Sequence, residues 1–190
     1  MIIRKSAAIP KKAVKLPKSA GMPLSKVMAI YKSRVNNLHK NRKTAIISQQ
    51  NVVIGTDNTW FNAQTINRDP AWIQVNNASY VWSSRNLSSD NAIISRPFTL
   101  SLRRAILSAS LFLSVDNYAT VLINGRIVVF DAPQDTPSFF MTGRTFNIRR
   151  FLRRGRNDIV IIAFNFGGGR SATAPAGVAA RLNIRLSALQ

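Results

Sequence analysis

Lysine disappears from this chain after residue 43. All nine lysines lie between Lys5 and Lys43, and the rest of the chain carries fifteen arginines instead. The acids divide at the same point: there are seven Asp and no Glu, and the first is Asp57. A stretch of twelve cations without one acid repels itself and buries little apolar surface, so it does not build a core. Residues 1–43 therefore read as a basic arm. Residues 44–190, with 46% hydrophobic residues in the chain as a whole, are long enough to bury a substantial core as one domain. The net charge of +20 draws the protein toward polyanions. There is no cysteine, so no disulfide and no thiol chemistry.

Within the arm, residues 1–21 read as extended and irregular, with basic clusters separated by Pro10 and Pro17. Leu24, Val27, Tyr31, Val35 and Leu38 then recur at spacings of three and four, which predicts a short amphipathic helix over about residues 24–40. Ser25 is its expected cap. The apolar face needs a partner, either the domain behind it or another subunit.

From Thr44 onward the pattern changes to strands. Phe98, Leu100 and Leu102 alternate with polar neighbours, as do Leu107, Ala109, Leu111, Leu113 and Val115, and again Val178, Ala180, Leu182, Ile184 and Leu186. Such alternation belongs to antiparallel sheets with one buried face. Asn124-Gly125 stands between two apolar runs and predicts a hairpin turn with positive φ at both residues. Many short strands and little helix give an all-β antiparallel sandwich or jelly roll. Two runs, Ala119 to Ile123 and Ile159 to Phe164, are apolar on both faces. Either the arm helix covers the second face, or another protein does.

Several stretches from about Trp60 onward resemble the galactose-binding-like β-sandwich, the jelly-roll module appended to many glycoside hydrolases. They are Ser95 to Leu100, the run from Ala109 to Gly125, Phe146-Asn147-Ile148 with Phe151-Leu152, the Gly155-x-Asn157 step, and Asn165 with Gly167-Gly168-Gly169. The resemblance implies sugar binding, and a structural Ca²⁺ for which Asp57 or Asp69 would serve; composition alone implies no cofactor. Sugar binding needs an exposed aromatic platform. Trp72, Tyr80 and Trp82 stand in apolar contexts and read as core, whereas Trp60, after Asn58-Thr59, is the candidate glycan contact.

Where that family carries acids, this chain has Arg149, Arg150, Arg153, Arg154 and Arg156, with Arg144 nearby. If Ile148, Phe151 and Leu152 point inward, these arginines fan outward as a patch for phosphate or carboxylate. The anion- or partner-binding candidates are therefore Arg149, Arg150, Arg153 and Arg154, joined by Lys5, Lys11, Lys12, Lys15, Lys18, Arg42 and Lys43 of the arm. Catalysis is not expected. The single histidine, His39, lies in the arm, and the aspartates stand mostly in turn-like settings. No paired carboxylates, triad, zinc ligand set or phosphate loop can be assembled.

These parts point first to a structural protein of a large assembly, a minor capsid or internal virion protein. Its partners would be the other structural proteins, with nucleic acid or an acidic protein surface taken by the arm. With no signal peptide or membrane-length apolar run, it would be intracellular before assembly and then in the virion. The alternatives are a carbohydrate-binding module and a sequence-nonspecific nucleic-acid-binding protein.

Overall fold

The computed structural model describes residues 23–41, 46–47, 51–131 and 139–187. They form a β-sandwich of two sheets with one long helix outside it. The strands are β1 (Ile46–Ile47), β2 (Asn51–Gly55), β3 (Ala63–Thr65), β4 (Val81–Ser83), β5 (Asn91–Leu100), β6 (Ile106–Asp116), β7 (Tyr118–Ile123), β8 (Arg126–Phe130), β9 (Arg144–Asn147), β10 (Gly155–Phe164) and β11 (Gly177–Leu186). The helices are α1 (Leu24–Asn41) and the one-turn α2 (Phe139–Thr142). Sheet A has the order β1-β5-β10-β7-β8, and sheet B the order β3-β4-β11-β6-β9 with β2 also on β11. All pairings are antiparallel except β1 with β5, which is parallel over two residues.

The alternation read from the sequence sets the inner faces. Val178, Ala180, Leu182 and Ile184 of β11 meet Ala109, Leu111, Leu113 and Val115 of β6 in one core with Ile159, Ile161 and Ala163 of β10. Two expected core positions are displaced. β5 ends at Leu100, so Leu102 lies beyond the strand and is 72% exposed. At the start of β6 the register shifts: Arg185 faces Ser108 but Leu186 faces Ile106. Leu107 is the extra residue of that bulge and turns outward, and Ile106 packs on the core in its place. The Asn124-Gly125 turn forms as expected, with φ of 49° and 79° closing Ile123 against Arg126.

The two-faced strands find their second partner within the chain. Val27 and Tyr31 of α1 bury against Tyr118, Leu122, Val160, Ile162 and Phe164 on the outer face of sheet A. The Tyr31 hydroxyl donates to the buried Asp158 carboxylate at 2.6 Å. Burial first, and this bond second, push the Tyr31 hydroxyl above the ordinary tyrosine range. Leu24, expected on the packed face, is exposed instead, and the side chains of Val35 and Leu38 lie outside the described residues. Ser25 does not begin the helix: the Pro23 carbonyl already accepts from Lys26 and Val27 at 2.9 and 3.0 Å, which puts Ser25 inside the first turn.

The outer face of sheet B is half covered. The segment around Trp72, Val75 and Tyr80 packs on Ala179. Trp72 Nε1 donates to Asp116 at 3.0 Å. Burial raises the Asp116 carboxyl to about 6, with Trp72 opposing and the Asp69 charge adding. Folding thus binds the Asp116 proton more tightly than the unfolded chain does. This group's contribution to stability falls as pH rises through that window and stays lost above it. Asp116→Asn keeps an acceptor for Trp72 and removes the buried charge. It should raise Tm by about 4 °C near pH 8 and leave it unchanged well below pH 4. Thermal melts at the two pH values check this; an equal or lower Tm near pH 8 contradicts it.

Candidate functional site

The strands place one end of the sandwich apart from the other. β5 finishes and β6 begins there, joined by residues 101–105; β7 turns into β8 at Asn124-Gly125; and β9 leads through the 3₁₀ turn Arg149–Phe151 into β10. Nine arginines gather at this end: Arg103, Arg104, Arg126, Arg149, Arg150, Arg153, Arg154, Arg156 and Arg185. Asp69, Asp90, Asp116 and Asp131 belong to the segments of the opposite end. The carboxylate that begins this half, Asp158, is buried and bonded to Tyr31.

Ile148 and Phe151 are buried and Leu152 packs on the core, so the arginines between and after them turn outward, as the sequence pattern requires. Asn157 sets the loop. Fully buried, it donates through Nδ2 to the carbonyls of Arg153 (2.7 Å) and Gly155 (2.9 Å). Its Oδ1 accepts from Arg153 N (3.0 Å) and Asn124 Nδ2 (2.8 Å). The Gly-x-Asn step is therefore the frame on which the arginines hang.

The guanidinium groups are held by neutral partners. Arg149 Nε donates to Ile106 O and Arg153 Nε to Arg156 O, both at 2.8 Å. Arg104 reaches Ser187 O at 2.8 Å, Arg126 reaches Arg150 O at 3.1 Å, and Arg154 reaches Leu102 O at 3.3 Å. Arg126 and Arg150 both stack on Phe151, at 5.0 and 4.9 Å from its ring centre. Carbonyls and a ring fix these forks in place without cancelling their charge. Among the described residues, the ion pairs are Arg96 with Asp57 and Arg144 with Asp131, neither of which involves the nine. A groove of about 660 Å³ runs along this end, lined by Ala105, Ile106, Asn147, Arg149, Arg150, Leu152, Arg153 and Arg154.

The structure thus brings together the five clustered arginines read from sequence, Arg149, Arg150, Arg153, Arg154 and Arg156, and adds Arg103, Arg104, Arg126 and Arg185. Their one sequence signal is a place at the ends of apolar strand runs. Arg144, expected nearby, is elsewhere: it grips Asp131 with two bonds of 2.7 Å. Lys5, Lys11, Lys12, Lys15, Lys18, Arg42 and Lys43 lie outside the described residues.

The aromatic platform is not where it was expected. Trp60 is 2% exposed, inside the main core, with Nε1 on Gly55 O at 2.7 Å, so it cannot meet a glycan. Trp72, Tyr80 and Trp82 are buried as well. The Ca²⁺ candidates are engaged locally. Asp57 accepts from Thr59 N at 2.8 Å and faces Arg96 at 3.6 Å, and Asp69 accepts from Ala71 N at 2.9 Å. No cluster of three or more metal-ligating side chains occurs among the described residues. No described helix is long and apolar enough to cross a membrane.

No family model matches the sequence. No curated protein matches it. Similar solved structures include a family 35 carbohydrate-binding module from an environmental isolate, with TM-score 0.40 and 14% identity over 71% of this chain and 93% of that one. The Podospora anserina β-(1,4)-mannanase with its CBM35 gives TM-score 0.39 and 13% identity over 74% of this chain and 28% of that one. The Streptomyces avermitilis α-L-rhamnosidase gives TM-score 0.46 and 18% identity over 67% of this chain and 13% of that one. The chain therefore spans a small part of the enzymes it is similar to. It is an all-β sandwich similar to the carbohydrate-binding modules that the sequence resemblance names.

Proposed function

We propose that this chain is a non-catalytic binding module that docks on a polyanionic surface through its arginine end, with the basic arm adding to the attraction. One observation carries the reading: nine guanidinium groups share one end of the sandwich, several fixed by backbone carbonyls and none paired with an acid among the described residues. Like charges held this close repel one another, and an anionic partner relieves that repulsion.

A short DNA duplex of known charge density is a suitable probe. Replacing Arg149, Arg150, Arg153 and Arg154 together by Ser should weaken binding and lower the slope of log K against log salt by up to about 3.6, the counterions of four phosphate contacts. An unchanged slope and affinity overturns the reading.

A second reading, carbohydrate binding, rests on the uncovered half of sheet B's outer face. There a mixed shelf of about 330 Å³ sets the amide and hydroxyl groups of Asn51, Ser108, Ser110 and Asn183, with Arg185, around the exposed Val53, so that sugar hydroxyls find hydrogen-bond partners beside an apolar contact. It also agrees with what the carbohydrate-binding modules named above are called. A glycan array with the full chain tests it, and binding lost in Asn183→Ala with duplex affinity retained would support it. The finer expectation, a minor capsid or internal virion protein, gains no support from the comparisons, which name glycoside hydrolases and carbohydrate-binding modules.

A further inference from the structure

The connection between β5 and β6 carries an apolar residue in an unusual setting. Leu102 is 72% exposed, the most exposed of the large hydrophobic side chains described. Arg103 and Arg104 follow it directly, and the Arg154 guanidinium rests on its carbonyl at 3.3 Å. Beneath it, the Leu102 side chain sits over Gly155, where an added Cβ would come within 3.1 Å of Leu102 Cδ2. Leu102 thus stands at the tip of a connection ringed by cations, over the first residue of β10.

We infer that the arginine end seats on an anionic lipid bilayer, with Leu102 entering the headgroup layer and the surrounding guanidiniums on lipid phosphates and carboxylates. This rests on the anion-docking reading and names its partner. Three observations favour a bilayer over a nucleic acid. A phosphate polymer has no use for a bare leucine among its cations, whereas burying Leu102 in the acyl boundary removes its apolar surface from water. A single-stranded nucleic acid stacks its bases on free aromatic faces. The ring at this end, Phe151, is buried and already stacked by Arg126 and Arg150. Third, the charge is uneven: nine guanidiniums share this end, whereas at the other Arg68, Arg85, Arg144 and Arg170 stand beside Asp69, Asp90, Asp116 and Asp131, which orients the sandwich with its arginine end on an anionic plane.

The test uses the full chain with two vesicle compositions, phosphatidylcholine alone and phosphatidylcholine with one quarter phosphatidylserine. Wild type should sediment with the phosphatidylserine vesicles only. Leu102→Ser, at an exposed site where folding is unaffected, should lower that partition about tenfold while duplex affinity stays unchanged. Leu102→Trp should show blue-shifted emission on adding phosphatidylserine vesicles. Vesicle binding that is equal in Leu102→Ser, or emission from Leu102→Trp that does not move, overturns the proposal. So does duplex binding without vesicle binding, which would make nucleic acid the partner. If the fourfold arginine variant binds the duplex like wild type, the underlying docking reading fails instead, a result separable from any effect at Leu102.

Discussion

Asn157→Ala is expected to lose about 3–5 kcal/mol of stability, a large share of what a domain of this size holds in reserve. The truncation removes four hydrogen bonds from a site with no access to water. Arg153 N, Arg153 O, Gly155 O and Asn124 Nδ2 each lose a partner there. A buried polar group left unpaired costs about 1–3 kcal/mol, and Asn124 also ties the β7–β8 hairpin to Phe151 O and Asp158 N. The same change should reach the binding surface, because residues 153–156 take their course from Asn157. Urea unfolding gives the first effect, and duplex binding by the fraction still folded gives the second. A loss below about 1 kcal/mol, with duplex affinity retained, would mean that the loop is set by other contacts.

Deleting residues 1–41 should turn the protein into a self-associating one. Sheet A's outer face, with Tyr118, Leu122, Val160, Ile162 and Phe164, is buried beneath Val27 and Tyr31 in the intact chain. Without α1 those side chains form a contiguous apolar patch of the kind that monomers rarely expose. Losing the helix also leaves the Asp158 carboxylate without the Tyr31 hydroxyl, its side-chain donor among the described residues. With the helix gone that carboxylate lies open to water beside the apolar patch, so its ionised form carries no burial cost and the apolar face alone drives association. Sedimentation velocity should show a larger species for the truncated form than for the full chain, and the truncated form should bind a hydrophobic dye. A monomeric, dye-silent truncation would show that the helix is dispensable. Tyr31→Phe isolates the hydrogen bond, with an expected cost of about 2 kcal/mol in the full chain.

Much of this architecture is visible in the residues. The 3-and-4 spacing announces α1, the Asn-Gly pair announces the β7–β8 turn, and the two-faced runs at Ala119–Ile123 and Ile159–Phe164 announce a sheet that needs cover on both sides. Which partner supplies the cover is a tertiary matter: α1 lies across sheet A through Val27 and Tyr31 on its apolar face, and Tyr31 adds a bond to Asp158, 127 residues away. The bulge at Leu107 was hidden, since alternation continues through Leu107 in sequence while the ladder slips by one residue. Trp60 misled for a similar reason. Its polar neighbours suggest a loop, but the Gly55 carbonyl satisfies its indole N–H and lets the ring enter the core. The arginine cluster was half legible. Arg149 to Arg156 are adjacent in sequence, whereas Arg103, Arg104 and Arg126 join them only because three separate connections meet at one end of the sandwich.

If the arginine end, rather than the basic arm alone, meets the anionic partner, its guanidiniums must report the encounter. An arginine Nε–H NMR spectrum of the full chain, titrated with the short duplex, reads them one by one. Arg149 and Arg153 donate from Nε to carbonyls, which slows proton exchange and keeps their signals observable. These two signals should shift along one binding curve while that of Arg170, whose Nε donates to Ala176 O at 3.1 Å in the β10–β11 connection at the opposite end, stays in place. Shifts confined to the arm, or spread evenly over all arginines, would contradict docking through this end.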